Sequence, residues 1–161
     1  DSQRTTPEGG AWSVAQARWT TARYLFGAQS LGLAGRCQDM ALKYVKTRST
    51  FGQPLASRQA IQFMLAESEI ALQAIRALTF QAAWKAEQEM DVRHDASIIK
   101  VFATEMATQV IDRALQIHGA AGYSTDLPIE VHYRTIRGLR IADGPSEVHR
   151  MVVARDILRD V

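Results

Sequence analysis

Three short stretches hold the residues whose types and spacing could do chemistry. IADGPSEVHR, Ile141 to Arg150, sets one carboxylate, Asp143, ahead of a Gly-Pro break and the opening of a helix. Pro145 suits the first helical position, and Glu147 suits the positive helix start. That start favours a carboxylate's ionised form, so Asp143 facing a dry pocket would act as a base and not as an acid. Asp-Gly is equally a common turn pair, and a turn residue is the competing reading.

The second stretch, Arg48-Ser49-Thr50-Phe51-Gly52-Gln53, combines a cation, an aromatic and a glycine that lets a ligand approach the backbone. A guanidinium fork and small residues suit phosphate, and an aromatic can lie against a flat ring. A helix C-terminus with a basic last turn explains the same residues. The third, Gln116-Ile117-His118-Gly119-Ala120-Ala121-Gly122-Tyr123, has two glycines three apart beside a helix end. It reads either as a phosphate-binding turn or as a plain terminus. His118 is an acid-base candidate whose alternative is a capping or packing role. His94, His132 and His149 have no spacing that pairs them as metal ligands, and no metal site is expected.

Long helices must position these loops. From Trp12 to about Thr47 the apolar residues Trp19, Ala22, Leu25, Phe26, Leu33, Cys37, Met40, Ala41, Tyr44 and Val45 recur mostly at steps of three or four. Gly27, Gly32 and Gly35 within that run each cost about 1 kcal/mol relative to Ala, which suggests close approach of another helix or a ligand. Further helices are expected from about Arg58 to Met90, Ala96 to His118, Ile129 to Gly138, and Pro145 to Arg159. No strand-like alternation or internal repeat is visible. The expected fold is all-α: a four-helix up-and-down bundle of long helices with a short additional helix.

Composition supports an ordinary globular domain: 161 residues, 47% hydrophobic, 22% charged and a net charge of +2. The basic residues form no run that suggests nucleic acid or a membrane surface. Cys37, the only cysteine, excludes an internal disulfide, argues for a reducing compartment and reads as packing volume. No segment reaches the ~18 apolar residues of a membrane helix, and no signal peptide is seen. The opening DSQRTTPEGG, without Met, reads as a linker over residues 1–11, as in a piece of a longer polypeptide.

Taken together, SLGLAGRCQDMALKYVKTRSTFGQPLASRQAIQFMLAE, ASIIKVFATEMATQVIDRALQIHGAAGY and RIADGPSEVHRMVVARDIL resemble the C-terminal helical domain of the flavin-dependent acyl-CoA dehydrogenases. The likeness covers nearly all of residues 12–161. It rests on the order and spacing of R-x-x-FG-x-x…Q, Q-I-x-G-x-x-GY and DG-x-S-E. It implies a bundle that closes over FAD and packs into a dimer of dimers. By that resemblance Arg48, Phe51 and Gln59 hold a neighbouring subunit's FAD. Gln116 and Gly119 line its adenosine-diphosphate part, and Ser146 and Glu147 lie by its flavin end. The family often has an aromatic and two glycines where this chain has His118, Gly119 and Ala120.

Asp143 falls where many members place a catalytic glutamate. There the carboxylate removes the proton next to the thioester carbonyl, and the β-hydrogen passes to the flavin as hydride, leaving a 2,3-enoyl-CoA. Another branch carries its glutamate just before an arginine on the first helix; here Ala22 precedes Arg23. Arg23 matches the arginine near substrate and base. The ADGP-x-EVH form resembles a branch that includes members fused to kinase-like domains and acting on longer or hydroxylated acyl-CoAs. A relative, nitroalkane oxidase, uses an aspartate base on a different carbon acid.

The resemblance further implies an acyl-CoA substrate and an electron-transfer flavoprotein as acceptor. It implies a homodimer or homotetramer and an intracellular location, cytoplasmic in a bacterium or mitochondrial or peroxisomal in a eukaryote. Nothing in the chain matches the family's N-terminal helical domain or middle β-domain, so the isolated chain is expected to be inactive. A domain of a dehydrogenase, one subunit of a heteromeric enzyme, and a non-catalytic helical assembly module all stay open at this point.

Overall fold

The structure, a computed structural model, describes residues 6–159. Six α-helices follow in order: α1 (Ala11–Thr47), α2 (Gln59–Glu87), α3 (Arg93–His118), α4 (Ala120–Tyr123), α5 (Ile129–Leu139) and α6 (Ser146–Ile157). Between α1 and α2 lies a two-stranded ladder, β1 (Ser49–Thr50) and β2 (Gln53–Pro54), then a 3-10 turn at Leu55–Ser57. The all-α expectation holds.

Side-chain contacts fix the helix directions. Gln38 Nε2 donates to the Leu65 carbonyl at 3.0 Å, while Gly27 lies against Thr79, so α1 and α2 run antiparallel. Gly27 also meets Ile99, and the Tyr44 ring stacks on His118 with centroids 4.5 Å apart, so α3 runs parallel to α1. On α6, Asp156 faces His94 and Arg150 faces Glu105, which makes α6 antiparallel to α3. The bundle therefore alternates, closed by an α6 of only 12 residues.

Small residues let the helices approach closely. Ala34, Cys37, Ala41 and Val45 of α1 face Ala103, Ala107, Val110 and Ala114 of α3, all buried. Ile75, Ile99, Ile111, Ile129 and Ile136 fill the gaps, each worth about 1.5–3 kcal/mol relative to exposure. A Cβ on Gly27 would strike the Thr79 hydroxyl and come within 2.7 Å of Ile99. Close approach was expected of Gly32 and Gly35 as well, but both face open space.

Local signals set the helix ends. α2 stops at Glu87 rather than Met90 because Glu89 turns left-handed (φ 57°), with Met90 N bonded to the Lys85 carbonyl. α3 starts three residues earlier than expected, its first amide bonded to Asp91 at 3.0 Å. Lys85 and Asp95, 2.7 Å apart, tie these two ends together. Of the expected linker, residues 1–5 lie outside the described residues, and helix begins at Ala11.

Candidate functional site

Asp143 occupies the turn between α5 and α6 with φ 51°, left-handed for a residue with a side chain, and Gly144 follows at φ 99°. Two donors meet on the Asp143 carbonyl oxygen: Arg23 Nε from α1 at 3.3 Å and His149 Nε2 from α6 at 3.2 Å. Among the described residues none pairs with its carboxylate, which is exposed. The backbone is held and the acid group is left free.

Lys100 of α3 lies beneath this turn, 0% exposed, and donates from Nζ to the Arg140 carbonyl at 3.0 Å. The amide of Ser146 bonds to the same oxygen at 3.2 Å, so the turn is fastened at its start as well. Burial pushes the Lys100 ammonium down to about 8, against the attraction of Glu147 and Asp143. Ser146 is 1% exposed, and its Oγ has no hydrogen-bond partner among the described residues. Glu147 is exposed at the start of α6. Arg150 donates to Glu105 through its two terminal nitrogens, at 2.8 and 2.6 Å, and this pairing holds the Glu105 carboxyl below its usual range.

A cleft of about 760 Å³ opens beside this cluster between α1, α3 and α6, lined by Gln16, Thr20, Arg23, Ser97, His149 and Arg155 among others. A smaller groove of about 370 Å³ lies between α3 and α6 and is walled by Val101, Phe102, Met106 and Val153. Its charged residues, Glu105 and Arg150, are bonded to each other, so it offers no free acid or base.

The remaining predicted residues lie elsewhere. Arg48 follows Arg23 by 25 residues of helix, a separation of ~38 Å. Phe51 and Gly52, at φ 52° and 76°, form a two-residue hairpin turn between β1 and β2. Phe51 is 98% exposed there, an aromatic held in a disfavoured backbone region. The Arg58 guanidinium donates to the Thr50 carbonyl at 2.9 Å, which brings the exposed Gln59 to this hairpin. Gln116 and Gly119 are exposed at the same end of the bundle, as the Tyr44–His118 stack requires. Gly119, at φ 60°, ends α3 and begins the single turn of α4. The structure thus separates the candidates into an Asp143–Arg23–Ser146–Glu147 end and an Arg48–Phe51–Gln59–Gln116–Gly119 end.

His118 is a packing residue: it is buried, stacked on Tyr44, and donates from Nδ1 to the Ala114 carbonyl at 2.8 Å. Cys37 is packing volume too, and burial pushes its thiol up to about 11. Sequence reasoning missed Lys100 and His149 as members of the site. Lys100 had a legible signal, since it shares a helical face with Ala96, Ala103, Thr104 and Ala107.

Comparisons with known proteins identify the family of the chain. A family model described as "Acyl-CoA dehydrogenase, C-terminal domain" matches residues 9–158. A 3-(aryl)acrylate reductase of Clostridium sporogenes is 45% identical over 132 residues, covering 82% of this chain and 35% of the relative. An (R)-benzylsuccinyl-CoA dehydrogenase of Thauera aromatica is 39% identical over 153 residues, covering 94% and 38%. The solved butyryl-CoA dehydrogenase of Megasphaera elsdenii superposes with a TM-score of 0.90 at 34% identity, covering 93% of this chain and 39% of that one. The chain therefore spans well under half the length of these proteins.

Proposed function

The chain belongs to the acyl-CoA dehydrogenase family as its C-terminal domain, and from that premise we propose that Asp143 is the base of an acyl-CoA oxidation. The supporting observation is a carboxylate free of ion pairs among the described residues, on a turn whose backbone is fastened from α1, α3 and α6. Asp143 takes the proton next to the thioester carbonyl. Arg23 and His149 hold the turn while it does so, and Lys100 supplies a buried positive charge beneath it. A carboxylate one methylene shorter than glutamate needs such fixing, because an ~1 Å misplacement can cost about 100-fold in rate. The cleft beside Arg23 and Arg155 offers cationic groups to the phosphates of a CoA thioester. Exclusion of water from the exposed Asp143 falls to substrate and to the domains that its relatives carry.

The residues present fit FAD at both ends. Ser146 offers a buried hydroxyl without a partner among the described residues, and Phe51, three residues after Arg48, offers a fully presented ring. FAD, when bound, supplies the acceptor for the β-hydride. Because the two ends lie ~38 Å apart along α1, one FAD cannot reach both. Ser146 and Glu147 would serve one subunit's cofactor, and Arg48, Phe51, Gln59, Gln116 and Gly119 that of a neighbour. The outer face of α2 suits such an assembly: Phe63, Ile70 and Trp84, all exposed, fall on multiples of seven residues. We assign a homodimer or homotetramer, with an electron-transfer flavoprotein as acceptor.

No helix among the described residues is long and apolar enough to cross a membrane. A reducing compartment, cytoplasmic or mitochondrial, suits the buried thiol of Cys37. Anaerobic addition of acyl-CoA to the natively assembled protein tests the reading. Loss of the visible flavin band upholds it, whereas a colourless assembly indifferent to acyl-CoA favours a non-catalytic module. Reduced flavin re-oxidised only by an enoyl-CoA would mark a reductase working the same positions in reverse.

A further inference from the structure

Within the EVH end of the ADGP-x-EVH stretch, His149 is the buried member and touches the turn of the proposed base. His149 is a 1% exposed imidazole with a polar neighbour on each nitrogen: Ser97 Oγ 3.2 Å from Nδ1 and the Asp143 carbonyl 3.2 Å from Nε2. A carbonyl only accepts, so the proton between them resides on Nε2. Nδ1 then presents its lone pair to Ser97, whose hydroxyl turns to donate to it in place of the Arg93 carbonyl 3.2 Å away. Burial lowers the affinity of this ring for a second proton against the opposing pull of its bond to the Asp143 carbonyl, and the nearby cations Arg23 and Lys100 add to the effect of burial.

The surrounding sequence makes room for the imidazole. A Cβ on residue 144 would sit 3.1 Å from His149 Nε2, and Gly144 has none. Pro145 is extended at φ −65°, and the His149 amide returns to its carbonyl at 3.3 Å, which sets the first turn of α6. His149 is therefore placed by the same turn, Asp143 to Pro145, that it constrains.

We infer that His149 is a positioning residue that, as the neutral Nε2–H tautomer, locks the Asp143 backbone in its left-handed conformation and so aims the carboxylate at the substrate. Arg23 holds the same oxygen from α1, and the two donors together satisfy both lone pairs of one carbonyl. The inference rests on Asp143 being the base, but the lock itself can be measured without the reaction.

Two variants separate a lock from simple packing. His149→Leu keeps volume and removes the donor, whereas His149→Gln restores an N–H of comparable reach. In the flavin-loaded enzyme, His149→Leu should lower kcat about 10- to 100-fold with KM for acyl-CoA little changed and a larger isotope effect from α-deuterated substrate. His149→Gln should recover most of that loss. Equal behaviour of the two variants overturns the inference, as does a loss confined to KM. Imidazole nitrogen NMR on the 161-residue chain gives the answer independently of turnover. A neutral ring protonated on Nε2, with the Asp143 HN–Hα coupling changed in the Leu variant and kept in the Gln variant, supports the lock. An imidazolium, the opposite tautomer, or an unaltered coupling in the Leu variant overturns it. Should the lock hold while Asp143→Asn leaves acyl-CoA oxidation intact, the base assignment fails and the lock does not.

Discussion

Arg23 reaches Asp143 across 120 residues of sequence and bonds to its main-chain carbonyl, at 3.3 Å, rather than to its carboxylate. Had the guanidinium gripped the carboxylate, the ion pair would have stabilised the charged form and opposed proton uptake. Bonding to the carbonyl instead holds the turn and leaves the carboxylate out of the contact. Arg23 therefore meets Asp143 through its backbone and not through its acid group.

Lys100 should cost stability in exchange for its place under the turn. Its folded pKa of about 8, against an ordinary 10.5, means that the unfolded chain binds more protons between those values. Stability of the native protein should accordingly rise with pH from about 8 to 10.5. The gap corresponds to roughly 3 kcal/mol of penalty at neutral pH. Lys100→Met should raise the urea midpoint at pH 7 and remove most of the alkaline rise. A variant less stable than the parent at pH 7 would show that the ammonium is a net stabiliser.

Phe51 should show the same trade in the hairpin. An aromatic at φ 52° gives up local stability that Asn, suited to a two-residue turn before Gly, would recover. Phe51→Asn is expected to stabilise the chain by about 0.5–1 kcal/mol in thermal or urea melts. The assembled protein should at the same time release FAD more readily. Unchanged FAD retention would remove Phe51 from the cofactor site.

Gly27 and Gly32 lie in one helix but should respond oppositely to Ala. Gly27→Ala drives a methyl into Thr79 and Ile99 and should cost about 1–3 kcal/mol. Gly32→Ala enters open space, and helix propensity should return about 0.5–1 kcal/mol. Paired denaturant titrations check both signs.

Much of this architecture was legible in the sequence because it rests on period and punctuation. The stripe Cys37, Ala41, Tyr44, Val45 gave α1 its face, and Gly119 and Gly52 marked real breaks. The β1–β2 ladder was not legible, since two residues per strand carry no alternation. The same holds for α4, a single turn. Asp143 and Arg23 came through motif resemblance, but their contact is a side chain on a backbone oxygen, and no residue type at position 143 encodes that. His149 and Ser97 are 52 residues apart and meet only once α6 packs on α3. Ser146 showed its hydroxyl in the sequence but not its burial.

Asp143→Asn gives the most direct test of the central claim. The amide keeps the shape, the left-handed backbone and the bonds from Arg23 and His149, and removes only the basic oxygen. Flavin reduction by acyl-CoA should fall by at least about 1,000-fold, within the range set by loss of a general base, while FAD content and assembly stay unchanged. Reduction at the parent rate by the asparagine variant would show that another group takes the α-proton, and Asp143 would then be a turn residue.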